Sequence, residues 1–169
     1  QDIANTAINA GDTGAPTSGA FCFGDGSSTA CPCANNSAVG AGAGCLNSLG
    51  SGGLLASTGV ASIAADTAVL AGSGMPNSNA LYFQGTTQIA SAFGDGLRCA
   101  GGSVIRLGTK SNVAGASTYP VAGDQTISVR AALVAGDVRN YQVWYRNAAA
   151  FCTNSTFNLT NGLNVVWQP

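Results

Sequence analysis

The sequence predicts an all-β domain, a two-sheet β-sandwich or jelly-roll-like fold, with disulfide-rich N-terminal loops and an extended N-terminal arm. From Leu54 onward, short apolar runs are separated by Gly, Pro, Asn and Asp, the residues that form turns. Several of these runs alternate apolar and polar residues with a period of two, which is typical of half-buried strands. Turn signals recur about every 8–12 residues without a sustained helical period, as in sandwiches.

About nine strands are expected. Their ranges are 54–58, 60–64, 67–71, 80–84, 86–91, 103–108, 126–133, 141–146 and 163–167. The sets expected to share one face are Ile127, Val129, Ala131 and Leu133; Tyr141, Val143 and Tyr145; and Leu163, Val165 and Trp167. In the strand at 141–146, the residues opposing the shared face are Gln142, Trp144 and Arg146.

The segment VASIAADTAVLA at 60–71 is compatible with two structures. Its alanines suit a helix. Its Val, Ile and Thr residues, with Gly59 and Gly72 on either side, favour two strands. We therefore expect strands there.

The chain divides into an arm at 1–20 and one domain at 21–169, in which 21–50 is a loop subregion carrying four of the six cysteines. The arm contains no cysteine and no aromatic residue, and it joins an extended piece, Ile3 to Ala10, to a Gly/Pro/Ser linker. Its candidate contact residues for assembly are Ile3, Ala7 and Ile8. The alternative is a disordered terminus.

The composition excludes several classes of partner. The chain has a net charge of −1, only 8% charged residues, no Glu, no His and a single Lys. Nucleic acids and anionic membranes both require clustered Lys and Arg. No run of about 18 apolar residues occurs, so no membrane span is expected. Weak charge repulsion favours self-association into a homo-oligomer or filament.

The six cysteines predict a disulfide framework formed in an oxidising compartment, and a chain that begins at Gln1 fits removal of a signal peptide. We therefore expect a secreted or cell-surface protein. Sequence order suggests the pairs Cys22–Cys31, Cys33–Cys45 and Cys99–Cys152, among fifteen possible connectivities. A redox role for Cys31-Pro32-Cys33 is the alternative to structural bonds elsewhere, because two cysteines so close would form a strained ring.

Three segments are unusual enough to carry a resemblance: FCFGDGSSTACPC at 21–33, FGDGLRCAGGSVIRLGTK at 93–110 and YQVWYRNAAAFCTNSTFNLTNGLNVVW at 141–167. Together they resemble a family of uncharacterised secreted proteins that is abundant in planctomycetes and related environmental bacteria. The resemblance implies secretion and a β-rich fold but supplies no mechanism, because no enzymatic activity is known for this family. Many such proteins begin near the FCFGDG motif, so the arm at 1–20 is an addition.

The tetrapeptide FGDG occurs twice and places Asp25 and Asp95 between glycines. An aspartate in this setting can bind Ca²⁺ when other oxygens converge on it. Asp-Gly more often forms a tight turn, and neither site has the acidic spacing of a calcium loop. Zinc is disfavoured because no histidine is present and the cysteines are expected to be oxidised. We predict no metal and no cofactor.

Catalysis is also disfavoured, and we predict that the protein is not an enzyme. A Ser-His-Asp triad needs a histidine. A glycosidase needs two carboxylates, and the seven aspartates lie in turn-like contexts. A hydrolase using aspartates is therefore the least favoured hypothesis.

Two kinds of glycan contact are considered. The aromatic candidates for stacking on sugar rings are Tyr82, Trp144, Tyr145 and Trp167, with core packing as the alternative for each. The Asn-x-Ser/Thr triplets that could accept glycans are at Asn35, Asn154 and Asn158, although such triplets arise often by chance.

The sequence thus favours a structural subunit of an extracellular or cell-surface assembly, such as a filament in which the arm contacts neighbouring subunits. The alternative is a secreted carbohydrate-binding module without catalytic activity. Because Ile3 and Ile8 fall on opposite faces of a regular strand, the arm has three options: to pair with an edge strand around a bulge, to wedge between subunits, or to stay disordered.

Overall fold

A computed structural model describes residues 17–169. This part of the chain contains eleven strands and one short helix. The strands are β1 (Thr17–Phe21), β2 (Leu54–Thr58), β3 (Val69–Ser73), β4 (Asn79–Gly85), β5 (Thr87–Phe93), β6 (Gly96–Gly101), β7 (Ile105–Ser111), β8 (Ser117–Tyr119), β9 (Val138–Arg146), β10 (Phe157–Leu159) and β11 (Gly162–Val166). The helix is α1 (Ile127–Arg130).

The largest sheet has six antiparallel strands in the order β1-β11-β9-β4-β7, and β10 also pairs with β9. Strand β9 is the spine of this sheet, with Tyr82 of β4 opposite Val143 and Leu163 of β11 opposite Tyr141. Directly opposed residues point to the same face of a sheet. The register therefore assigns each side chain of the sheet to an inner or an outer face.

The inner face packs against a three-stranded sheet, β2-β3-β8, and this pairing is the sandwich. The large sheet contributes Tyr82, Tyr141 and Val143 to the core, and the small sheet contributes Leu55 and Leu70. All five are at most 2% exposed. The predicted all-β class and sandwich are confirmed, as is the shared face of Tyr141, Val143 and Tyr145.

The outer face is covered by a separate hairpin of β5 and β6, which contacts β4, β9 and β10. Two smaller apolar clusters fill the space beneath the hairpin and the N-terminal loops. Their buried members are Cys31, Cys45, Leu97 and Cys99 in one and Phe83, Ala100 and Leu159 in the other. The large sheet is therefore buried on both faces over part of its length.

Two predicted strands are wrong. Residues 60–64 form no strand and make only an isolated bridge between Ser62 and Gln168. Residues 126–133 contain helix α1, in which Ile127 is buried but Val129 is 63% exposed. The carboxylate of Asp66 accepts a hydrogen bond from the backbone N–H of Ser128 at 2.8 Å. This long-range contact satisfies a backbone N–H at the start of the helix. The local alternation of apolar residues gives no sign of it.

The predicted division between arm and domain also shifts. Residues 17–20 belong to β1, which pairs with β11 along its whole length, from Thr17 opposite Val166 to Phe21 opposite Gly162. The domain therefore begins by Thr17 and not at Phe21. The predicted extended piece, with Ile3, Ala7 and Ile8, lies outside the described residues.

All six cysteines form disulfides, as predicted, but the predicted pairs are wrong. The bonds are Cys22–Cys99, Cys31–Cys45 and Cys33–Cys152. Only the second, with a separation of 14 residues, closes a local loop. The other two join the loop subregion to β6 and to the segment before β10, across 77 and 119 residues. Cys31 and Cys33 thus bond to different partners and not to each other.

The one helix of the described chain is a single turn, and no helix within residues 17–169 has the length and apolar character needed to cross a bilayer. The disulfides fit a protein that folds in an oxidising compartment.

Candidate functional site

An open pocket of about 450 Å³ lies on the outer face of the large sheet, beside the β5–β6 hairpin. This volume falls within the range of small-ligand sites. Its lining residues are Leu81, Phe83, Phe93, Arg98, Val104, Arg106, Trp144 and Leu159. We call it the outer pocket. It combines an apolar floor with two cationic side chains at its margin.

The alternation of side chains along the strands explains how the apolar floor of the outer pocket forms. Leu81 of β4 lies opposite Trp144 of β9, and Leu159 of β10 lies opposite the same tryptophan from the other side. These three side chains therefore share the outer face. Phe83 is two residues after Leu81 on β4, so it lies on the same face, and it is only 6% exposed.

Aromatic rings form one wall of the outer pocket. The ring centroid of Trp144 lies 5.3 Å from that of Phe157, which lies 4.8 Å from that of Phe93. Phe93 is at the end of β5 and remains 43% exposed. Exposed aromatic surface next to an apolar floor can bind apolar side chains or the flat face of a sugar ring.

The two arginines of the outer pocket come from different sides. Arg98 is on β6, where its Nε donates to the carbonyl of Ala100 at 3.1 Å and its guanidinium lies 6.0 Å from the centre of the Phe93 ring. Arg106 is on β7, opposite Phe83, and is exposed. The ion pairs found within residues 17–169 are Lys110–Asp124 and Arg139–Asp137. Neither pocket arginine has a carboxylate partner in the described chain.

Gln142 holds the hairpin in place above the sheet. Its Oε1 accepts hydrogen bonds from the backbone N–H groups of Cys99 at 2.8 Å and Ala100 at 3.4 Å. Its Nε2 donates to the carbonyls of Leu97 at 2.8 Å and Thr160 at 2.7 Å. The side chain is fully buried. This amide therefore fixes β6, and with it Arg98, relative to the pocket floor.

The structure separates the four predicted sugar-stacking residues. Trp144 lies in the outer pocket, whereas Tyr82, Tyr145 and Trp167 are at most 1% exposed and belong to the core. Burial raises the pKa of the Tyr145 phenol to about 12. The Tyr145 hydroxyl accepts a hydrogen bond from Asn47 at 3.2 Å. Only Trp144 of the four can contact a ligand in the folded chain.

The two FGDG segments have different structures. Asp25 is on the surface, where hydrogen bonds from Ser27 lower the pKa of its carboxyl group. Asp95 is fully buried and accepts hydrogen bonds from the backbone N–H and hydroxyl of Thr153, both at 2.8 Å, and from Asn147 at 3.3 Å. Within residues 17–169, no group of three or more His, Cys, Asp or Glu side chains could hold a metal ion. The carboxylate of Asp95 is therefore used to join loops.

The predicted glycan acceptors also differ. The amide of Asn35 donates to the carbonyls of Leu46 and Asp95, both at 2.8 Å, and that of Asn158 donates to the carbonyl of Leu46 at 3.0 Å. Both side chains are buried, so in the folded protein neither Asn35 nor Asn158 is accessible as a glycan acceptor. Asn154 is exposed.

Sequence reasoning identified Trp144 but missed Phe93, Arg98, Arg106 and Gln142. The two arginines are eight residues apart in the chain, on strands that belong to different sheets. No local spacing signals that they line one pocket. Alternation places Gln142 on the face opposite Tyr141, but nothing in the local pattern indicates that this side chain is buried.

Comparison with known proteins adds no relative: no family model, no curated protein and no solved structure matches the chain.

Proposed function

We propose that this protein is a structural subunit of an extracellular or cell-surface assembly, with the N-terminal segment and the adjoining edge of the large sheet in contact with a neighbouring subunit. The observation that carries the proposal is the difference between the two edges of that sheet. Strand β1 is at one edge and has no charged residue in Thr17–Phe21. Strand β7 is at the other edge and carries Arg106 and Lys110.

Charged residues on an edge strand prevent pairing with other chains, and their absence leaves the N–H and C=O groups of the edge available. The β1 edge therefore suits contact with another subunit. The preceding segment, residues 1–16, enters the domain at this edge. Because the donor segment and the surface it meets differ, the contact is heterologous and builds an open filament unless its rotation closes a ring.

Extracellular location is supported by the three disulfides. A non-catalytic role is supported by the positions of the aspartates. Asp95 is held by loop donors, Asp66 accepts from Ser128 on α1, and Asp124 and Asp137 form ion pairs. Each of these carboxylates has a structural contact, and none lines the outer pocket.

The test measures particle size by light scattering and electron microscopy for the full chain and for a variant lacking residues 1–16. Removal of 1–20 is avoided because it would delete most of β1. We expect the full chain to form large particles and the truncated chain to be a disulfide-bonded monomer. Equal assembly by the truncated chain contradicts a role for the N-terminal segment.

A substitution on the β1 edge distinguishes the contribution of this strand to assembly from that of residues 1–16. A Cβ at Gly19 meets no atom within 4 Å, so Gly19→Lys places a charge on the β1 edge without a clash. We expect it to weaken assembly. Ser111→Lys, at an exposed position at the end of the already charged β7 edge, is the matched control and leaves assembly unchanged.

A carbohydrate-binding module is the second candidate, favoured by the half-buried Trp144 and by two pocket arginines that have no carboxylate partner within the described residues. Such a site suits a sugar carrying a carboxylate. Titration with neutral and acidic oligosaccharides, followed by tryptophan fluorescence, tests it. A monomeric full chain that binds an acidic oligosaccharide through Trp144 favours this candidate over the assembly subunit.

A further inference from the structure

We propose that the outer pocket is the acceptor for the N-terminal segment, residues 1–16, of a second copy of this chain. The inference rests on the proposed assembly and assigns the surface that receives the segment. Two observations support it: the outer pocket has cationic and apolar side chains that match the acidic and apolar residues of the segment, and β1, the strand that follows the segment, has a known direction in the sheet.

The first part of the match is electrostatic. Residues 17–169 contain all six basic side chains and five of the seven acidic ones, a net of +1, whereas residues 1–16 contain only the two acids Asp2 and Asp12, a net of −2. The outer pocket holds Arg98 and Arg106, neither of which is ion-paired in the described chain. Arginine forms strong charge-assisted hydrogen bonds with carboxylates.

The second part is apolar. Ile3 and Ile8 are the large apolar residues of the segment, and Asp2 precedes Ile3 directly. The pocket floor formed by Leu81, Phe83 and Leu159 lies next to its arginines in the same way. An Asp-Ile pair can therefore place the isoleucine side chain on the apolar floor and the aspartate carboxylate at an arginine. Because Ile3 and Ile8 are on opposite faces of a regular strand, only one of them needs to enter.

The direction of β1 selects a second copy as the donor. Thr17 is level with Val138, at the start of β9, because both lie opposite Val166 of β11. The outer pocket lies over the later half of β9, at Trp144. Residues before Thr17 that continue the direction of β1 leave the sheet at the end farther from the pocket.

The length of the segment permits contact with a neighbour. Sixteen extended residues reach about 50 Å, at roughly 3.3 Å per residue. Thr17 is about 20–25 Å from its own pocket, from six residues along β9 and two strand spacings across the sheet. Docking in its own chain would require the segment to reverse direction. A donor at one end of the sheet and an acceptor near the other make a head-to-tail contact, which propagates.

Charge reversal in the full chain tests the inference. One variant carries Asp2→Arg and Asp12→Arg, and the other carries Arg98→Asp and Arg106→Asp. Each one brings like charges together, and we expect the concentration needed for assembly to rise at least about tenfold. An equal mixture of the two restores assembly, because each segment then meets an oppositely charged pocket on the other variant. Light scattering at about 0.15 M salt is the readout.

Further variants control for folding and for general charge effects. Arg106 is exposed and has no ion-pair partner within residues 17–169, so Arg106→Asp alone preserves the fold and weakens assembly severalfold. Arg130→Asp makes the same charge change on α1, outside the outer pocket, and leaves assembly unchanged.

Each outcome decides the inference. Assembly of either double variant at the wild-type concentration overturns it, as does a mixture that remains monomeric, which would indicate docking within one chain. If deletion of residues 1–16 still abolishes assembly in those cases, the proposed structural function stands without the pocket as acceptor. A wild-type chain that stays monomeric at every concentration overturns both.

Discussion

The inner and outer faces of the large sheet use the same strands but are buried by different means. The inner face is closed by apolar and aromatic side chains such as Val143 and Trp167, packed against the three-stranded sheet. The outer face is closed by a hairpin held through the amide of Gln142 and the Cys22–Cys99 bond, and it leaves the outer pocket open. Tight apolar packing supplies stability, whereas polar and covalent anchors position a surface and leave room beside it.

The largest effect should come from the inner face. Trp167 is 1% exposed, and its indole N–H donates to the Tyr141 hydroxyl at 2.9 Å. We expect Trp167→Ala to lower the free energy of unfolding by about 3–5 kcal/mol, because it leaves a cavity and an unpaired hydroxyl. Urea unfolding under non-reducing conditions measures this.

The other tryptophan of the chain is the control. Trp144 is only partly buried, in the outer pocket, and Trp144→Ala should cost less than about 2 kcal/mol. Equal losses of unfolding free energy for Trp144→Ala and Trp167→Ala would contradict the distinction between the two faces.

The covalent anchor of the outer face comes next. Replacing Cys22 and Cys99 with alanine should destabilise the protein by about 2–5 kcal/mol, since the bond spans 77 residues. The matched pair is Cys31→Ala with Cys45→Ala, which opens a bond spanning 14 residues and should cost less. Peptide mapping without reduction checks the pairing itself, and a Cys99–Cys152 bond would contradict the structure.

Gln142 provides the polar anchor. Gln142→Leu leaves two N–H groups and two carbonyls without their partner, and we expect a loss of about 2–3 kcal/mol. Gln84 is the matched control, because it is also buried but its Oε1 has no hydrogen-bond partner in the described chain. Gln84→Leu should change stability by less than about 1 kcal/mol. Faster hydrogen exchange at the Cys99 amide in Gln142→Leu alone would localise the effect to the hairpin.

Alkaline pH should weaken the inner face. Burial raises the pKa of Tyr145 to about 12 in the folded state, compared with 10.0 for an ordinary tyrosine. The unfolded chain therefore releases this proton first as the pH rises. The contribution of Tyr145 to the free energy of unfolding should be constant below about pH 10 and fall between pH 10 and 12, by up to about 1.4 kcal/mol per pH unit.

The sign is checked with Tyr145→Phe. This variant loses the hydrogen bond with Asn47 at neutral pH, but its stability should fall less steeply between pH 10 and 12. An unchanged slope would show that Tyr145 is not responsible.

The sequence predicted the parts of the fold that depend on neighbouring residues. Alternation at Tyr141, Val143 and Tyr145 identified β9 and its core face, and alternation at Leu163 and Val165 did the same for β11. It failed at Ile127–Arg130, where Asp66 stabilises a helical turn from 62 residues away. The alternation in β9 also places Trp144 on the outer face, but it could not show which residues from other strands line the pocket there.

The all-β class, the presence of disulfides and the core-facing side of β9 and β11 follow from the residues alone, because side-chain alternation and cysteine content are local properties. The bond between Cys22 and Cys99, the burial of Asp95 but not of Asp25, and the presence of Arg98 and Arg106 in one pocket with Trp144 follow from the tertiary structure alone. These facts depend on which distant segments the packing of the sheets brings together. Identical tetrapeptides around Asp25 and Asp95 therefore acquire different roles, since burial is a property of the whole fold.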